Sequence, residues 1–125
     1  MTRGSIKSER QAREAQGRAA EKFASIMLRL KCYRILARRY KCPAGEIDLI
    51  VKRGKAIAFV EVKARKEIGQ ALDSITPRQK QRIARAAQSF LQLYPEYLNC
   101  ELRFDVILIV PNKWPHHIMD AWRDS

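Results

Sequence analysis

The sequence predicts an α/β domain in which helices pack on a mixed β-sheet. Three observations carry this reading. An amphipathic helical stripe lies near the N-terminus, short strand-like runs separated by turn residues follow it, and a second helical stripe opens at Thr76-Pro77 ahead of one more apolar run. In chain order the elements read α-β-β-β-α-β.

The first helix is expected over about residues 14–31. Ala20, Phe23, Ala24, Met27 and Leu28 recur at i, i+3, i+4, i+7 and i+8, which makes one apolar stripe, and Glu21 flanks it on the edge shared with Ala24 and Leu28. Residues 1–12 are polar and basic, and read as a mobile arm or as a frayed extension of that helix. Residues 13–125 then form a single domain, as the length suggests. The aromatic and apolar run 33–40 is the first strand, broken by Pro43-Ala44-Gly45. Residues 46–51 and 56–64 are the second and third strands, joined through Lys52-Arg53-Gly54-Lys55. Thr76 is a good N-cap and Pro77 a good first helical residue, after which Ile83, Ala86, Ala87, Phe90 and Leu91 repeat the helical stripe until Pro95 stops it near Tyr94. Residues 103–111 are the fourth strand, and 114–122 hold an edge strand or a last turn.

The charge balance is one-sided, with 25 Lys plus Arg against 13 Asp plus Glu and a net charge of +12. A domain this basic usually meets a polyanion, nucleic acid before an anionic membrane. The longest apolar runs, such as 106–111, are too short to span a bilayer. The N-terminus has no apolar leader, and Cys32, Cys42 and Cys100 are odd in number without CxxC spacing, which argues against both a disulfide framework and a zinc site. A reducing cytoplasm is the expected location.

The central hairpin can be read in register. With Gly54-Lys55 as a two-residue type II′ loop, Arg53 faces Ala56, Ile50 faces Phe59, Asp48 faces Glu61 and Glu46 faces Lys63. Strict alternation puts those residues, Arg53 and Ala56 apart, on one face, and leaves Ile47, Leu49, Val51, Ala58, Val60 and Val62 as an apolar core face. Asp48 and Glu61 would then lie with Cβ atoms about 4.5–5.5 Å apart, a repulsive pairing that makes sense around a cation. Oxygen ligands favour Mg²⁺ or Mn²⁺. Two carboxylates with Lys63 beside them suit phosphodiester hydrolysis, the metal activating water and the lysine meeting developing negative charge. Alternating Glu and Lys on a strand are also commonly a plain solvated face.

These residues carry a family resemblance. Gly45-Glu46-Ile47-Asp48-Leu49-Ile50 and Phe59-Val60-Glu61-Val62-Lys63-Ala64-Arg65, with Gly17, Glu21, Thr76 and Arg103-Phe104-Asp105-Val106, resemble the YraN-like family of small bacterial proteins over about residues 13–110. That family is similar to archaeal Holliday junction resolvases and restriction-endonuclease-like nucleases of the PD-(D/E)xK type. The resemblance implies a restriction-endonuclease-like core, with Asp48, Glu61 and Lys63 as catalytic residues. The implied metal ligands are Glu21, Asp48, Glu61 and the Val62 backbone carbonyl. Glu46 belongs to the motif and would pair with Lys63 or reach the metal through water. Many relatives carry lysine where this chain has Gln79, which lies on the stripe of Ile83 and Ala86 and is expected to turn inward as a supporting residue.

Between Glu21 and Glu46 stand seven basic residues and no acid: Lys22, Arg29, Lys31, Arg34, Arg38, Arg39 and Lys41. The second helix adds Arg78, Lys80, Arg82 and Arg85, with no acid up to Tyr94. Arg38, Arg39, Lys41, Arg65 and those four are the candidate phosphate contacts. The adjacent His116 and His117 are a poor metal pair, because neighbours on a strand point to opposite faces. Asp105 is expected to support the sheet or pair with Arg103, and Trp114 and Trp122 to pack in the core or in an oligomer contact rather than stack on bases. The expected function is a metal-dependent endonuclease acting on DNA rather than RNA, including branched DNA. The alternative is a module that keeps the nuclease fold and binds nucleic acid without cutting. A third reading, a basic RNA-associated protein, leaves the facing carboxylates unexplained. A homodimer stays open, since resolvases of similar fold act as dimers.

Overall fold

The computed structural model describes residues 3–123, with the side chains of residues 11, 17–70 and 73–123. Helix α1 (Arg3–Leu30) is followed by β1 (Arg34–Cys42), β2 (Gly45–Arg53) and β3 (Ala56–Ala64), then α2 (Ile68–Asp73), α3 (Pro77–Leu93), a 3-10 turn (Pro95–Tyr97), β4 (Glu101–Ile109) and β5 (His116–Trp122). The α/β class is as expected. The first helix starts well before residue 14, so residues 3–12, read as an arm or a helical extension, are helical, while Met1 and Thr2 lie outside the described residues. The segment 114–122 resolves to an edge strand. The sequence reading missed α2 and the 3-10 turn, each too short for a periodicity to register.

The strands form one mixed sheet in the order β1-β2-β3-β4-β5. β3 and β4 run parallel and the other neighbours antiparallel, because α2 and α3 supply the crossover that a parallel pair requires. At the β2–β3 hairpin Arg53 pairs with Ala56 and Ile50 with Phe59, and Gly54 alone of the loop takes a positive φ, 60°. That matches a type II′ turn and the expected register.

Both faces of the sheet are covered. On one, α1 lays Ala24, Met27 and Leu28 against Leu49, Val51, Ala58, Val60 and Ile107. On the other, α3 lays Ile83, Ala86, Ala87 and Phe90 against Ile47, Ile50, Ile57 and Phe59. This corrects the expectation of one apolar and one polar face. Ile50 and Phe59 are fully buried, and Ile47 packs under α3, away from Leu49 and Val51. The regular β2–β3 ladder ends at Leu49–Val60. Strict alternation therefore fails at Asp48, and the two strands part where the polar residues begin.

The helix ends are built from identifiable caps. α1 closes in a Schellman arrangement, with the Tyr33 N–H donating to the Leu28 carbonyl at 3.0 Å and the Cys32 N–H to the Arg29 carbonyl at 3.0 Å. Cys32 takes the left-handed conformation at φ 70°, a position usually given to glycine. α3 opens with a reciprocal capping box: the Gln79 N–H donates to Thr76 Oγ1 at 3.2 Å, and the Thr76 N–H to Gln79 Oε1 at 3.0 Å.

Candidate functional site

At the parted end of the β2–β3 hairpin, a concavity of about 450 Å³ is walled on one side by Gly17, Ala20 and Glu21 of α1, and on the other by Asp48, Glu61, Val62 and Lys63. Where the ladder would continue, the Val62 N–H instead donates to Asp48 Oδ2 at 2.9 Å. The Asp48 carboxylate thus takes the place of a strand partner, which explains both the end of the ladder and the fixed position of the side chain. Lys63 Nζ stands 3.8 Å from Glu61 Oε2, with both side chains mostly buried.

The electrostatics are those of a strained pair. Burial first, then the charge of Asp48, pushes Glu61 up to about 8, against the opposing pull of Lys63. Burial raises Asp48 to about 6, opposed by the Val62 N–H and Lys63 and reinforced by Glu21 and Glu46. Burial and mutual repulsion thus both favour keeping a proton on the pair. Removing that proton costs energy unless a cation replaces it.

Glu21 lines the same concavity, but its Oε2 accepts a bond from Arg39 Nε at 2.8 Å. Arg39 itself has a positive φ of 49°, an uncommon backbone conformation for a long side chain. Among the described residues no three His, Cys, Asp or Glu side chains converge on one point. The donor set is therefore two carboxylates, with a third an ion pair away. That fits Mg²⁺ or Mn²⁺, which take one or two carboxylates and keep several waters, better than an ion needing an all-protein cage.

The other expected site residues separate clearly. Glu46 is exposed opposite Lys41 in the β1–β2 ladder, and its expected pairing with Lys63 is not part of the hairpin ladder. Gln79 does not turn toward the carboxylates; its side chain closes the α3 cap. The Thr-x-x-Gln pattern was a readable signal for that role. Arg38 and Arg39 join Arg18, Lys22 and Arg29 around a basic groove of about 420 Å³ that shares Glu21 with the carboxylate concavity. Arg38 Nη1 donates to Ser25 Oγ there, at 3.0 Å. Arg18 was absent from the expected contacts. Arg65 lines the carboxylate concavity from the other side. Lys41, Arg78 and Arg85 are exposed, the last two on α3, which covers the opposite face of the sheet. Lys80 lies 5.8 Å from the Trp122 ring centre, and Arg82 Nε donates to the Ala44 carbonyl at 3.3 Å, beside the β1–β2 turn.

A second polar cluster lies away from this site. Asp105 is fully buried and accepts from Arg103, from the Asp120 N–H at 2.9 Å, and bonds His117 Nε2 at 2.9 Å. Arg103 also donates to Tyr33 Oη at 2.6 Å. The expected Asp105–Arg103 pair is present. His117 was missed as its partner, although an acid inside an apolar strand signals that one is needed.

A basic α/β domain with a mixed five-stranded sheet, helices on both faces and a carboxylate pair, one member half-buried and the other buried, beside a lysine defines the class of this molecule. The chain belongs to the uncharacterised protein family UPF0102, whose model matches residues 20–109 and so includes Glu21, Asp48, Glu61 and Lys63. It is 56% identical over 107 residues to a UPF0102 protein of Parvibaculum lavamentivorans, covering 86% of this chain and 80% of the relative. It is 50% identical over 117 residues to one of Paramagnetospirillum magneticum, covering 90% and 91%. A Bradyrhizobium diazoefficiens relative is 49% identical over 117 residues, covering 94% and 88%. UPF0102 is the YraN-like family to which the motifs pointed. Among the described residues no helix is long and apolar enough to cross a membrane.

Proposed function

We propose that this protein is a divalent-metal-dependent endonuclease that hydrolyses phosphodiester bonds in DNA, with Asp48, Glu61 and Lys63 as its catalytic residues. The observation that carries the reading is the half-buried Asp48 beside the buried Glu61, a pair held against its own repulsion, with Lys63 3.8 Å from Glu61. A bound Mg²⁺ or Mn²⁺ supplies Lewis-acid activation of water and phosphate. Asp48, oriented by the Val62 N–H, and Glu61 would hold it, with the Val62 carbonyl and Glu21 as the further ligands. Lys63 places an ammonium where negative charge develops on the phosphoryl oxygens. Arg39 and the neighbouring Arg38, Lys22 and Arg29 would follow the phosphate backbone.

The Glu21–Arg39 ion pair also favours a second reading, a module that binds nucleic acid without cutting it, because it engages Glu21, the further acidic ligand of the nuclease reading, elsewhere. A cleavage panel separates the two. Linear duplex, single strands, flaps, four-way junctions and RNA are incubated with Mg²⁺ or Mn²⁺ and wild-type protein, Asp48→Asn, Glu61→Gln or Lys63→Ala. Cleavage by wild type alone supports the enzyme. Binding without cleavage on every substrate, at any metal concentration, returns the module.

A further inference from the structure

A cavity of about 680 Å³ adjoins the carboxylate concavity, sharing Ala20, Ala64 and Arg65 with it. Its floor is apolar, built from Phe23 of α1 and from Ile109, Val110 and Pro111 where β4 ends. Its rim is cationic, with Arg65, Lys66 and Lys113, and no acid among the described residues lines it. Phe23, read as part of the apolar stripe of α1, is 45% exposed and meets the edge of Trp114, which is 67% exposed, at a ring-centre distance of 6.1 Å. Two large aromatic rings left in water beside an apolar hollow are costly unless something covers them.

We propose that this cavity receives an unpaired nucleobase of the substrate, next to the scissile phosphate, so that the enzyme acts on DNA locally opened or branched at the cleavage point. The inference rests on the nuclease reading, because that reading is what puts a phosphodiester at Asp48, Glu61 and Lys63. The chemistry of the walls selects the occupant. An apolar, aromatic-edged floor takes a flat hydrophobic body, and a cationic rim takes the anion attached to it; a nucleotide has both parts. The volume lies in the range of small-ligand pockets. A second copy of this chain fits poorly, because its net charge of +12 opposes the same cationic rim.

The three concavities are neighbours along α1, each sharing lining residues with the next. The basic groove meets the carboxylates at Glu21, and the carboxylates meet the cavity at Ala20 and Arg65. A backbone can therefore run over cations on one side of the site, while on the other side a base leaves its stack. An intact duplex keeps every base paired and cannot fill the cavity without unpairing and unstacking a base.

The test uses fluorescein-labelled oligonucleotides and wild-type protein without divalent metal, so that no strand is cut. A short duplex is compared with the same duplex carrying one unpaired thymidine, and with a third in which that thymidine is abasic. The unpaired base should bind about ten-fold tighter than the plain duplex, and the abasic substitution should remove most of that gain. Trp114→Ala and Phe23→Leu should each lose the preference while keeping the duplex affinity and the far-ultraviolet circular dichroism of wild type. Equal binding of all three oligonucleotides overturns the proposal. So does a Trp114→Ala change in sedimentation behaviour with the base preference intact, which would make the cavity a protein interface. A parallel arm with Mg²⁺ separates the two inferences. Cleavage of plain duplex with no base preference leaves the nuclease and removes the cavity's role, whereas base-dependent binding with no cleavage does the reverse.

Discussion

Asp48 and Glu61 stand where a strand ladder should continue, and their cost is measurable at the level of single residues. Asp48→Asn removes one charge of the pair and keeps an oxygen to accept the Val62 N–H bond. The metal-free variant should therefore be more stable than wild type at pH 8, by about 1 kcal/mol, while metal affinity and cleavage fall together. Glu61→Gln should behave alike. Lys63→Ala should leave metal binding nearly unchanged and lower turnover by about 10²-fold, because its proposed role is at the phosphate. Thermal melts without metal, calorimetric metal titration and a nicking assay check the set. Loss of apo stability in both amide variants would make the pair structural.

At the scale of elements, two helix ends make opposite predictions. Cys32 occupies the left-handed position of the α1 cap at φ 70°. Cys32→Gly removes the clash between Cβ and backbone, and should stabilise the fold by about 1 kcal/mol in a urea titration. An unchanged midpoint would mean that the cap does not limit stability. At α3, Thr76→Ala breaks the capping box and should cost about 1 kcal/mol, with Gln79→Ala costing less. Neither change should alter the metal dependence of cleavage, since the side-chain oxygen of Gln79 accepts from the Thr76 N–H at the α3 cap. A large loss of turnover in Gln79→Ala at unchanged stability would restore it to the site.

The whole molecule couples pH, salt and metal. The raised carboxyls contribute stability that is fully present below the ordinary carboxyl range and is lost as pH rises through about 6 and about 8. Asp105 works in the opposite sense. Burial disfavours its charge, but bonds with His117, Arg103 and the Asp120 N–H outweigh that and hold it below the ordinary value, so its contribution is lost only in acid. The metal-free protein should therefore lose stability between about pH 4 and pH 8 relative to an Asp48→Asn/Glu61→Gln double variant, and Mg²⁺ should restore it mainly at the higher pH. Parallel melting curves that keep a constant offset would refute the titration of the pair. Net charge sets the other global behaviour. Log affinity for DNA should fall linearly with log salt, about 0.9 per phosphate contact. Charge reversal at Lys22 or Arg29, in the groove beside Glu21, should lower that slope by about 1 each. Reversal at Arg85, on the opposite layer, should change it less.

Local pattern was enough for the α/β class, the hairpin turn at Gly54 and the Ile50–Phe59 register, and it put Asp48, Glu61 and Lys63 at the same end of one hairpin, because turn chemistry and period-2 alternation act between near neighbours in the chain. It also sufficed for the family, through short motifs that fold into one hairpin. Contacts between distant segments decided the rest. The β2–β3 ladder stops at Leu49–Val60 because the Asp48 carboxylate takes the Val62 N–H, and no alternation rule contains that substitution. Glu21 faces the pair but is claimed by Arg39 across 18 positions, and His117 completes the Asp105 cluster across 12. Phe23 followed the helical stripe in sequence yet lies exposed against Trp114, because β4 and the segment after it, rather than the helix, determine which part of that stripe is covered.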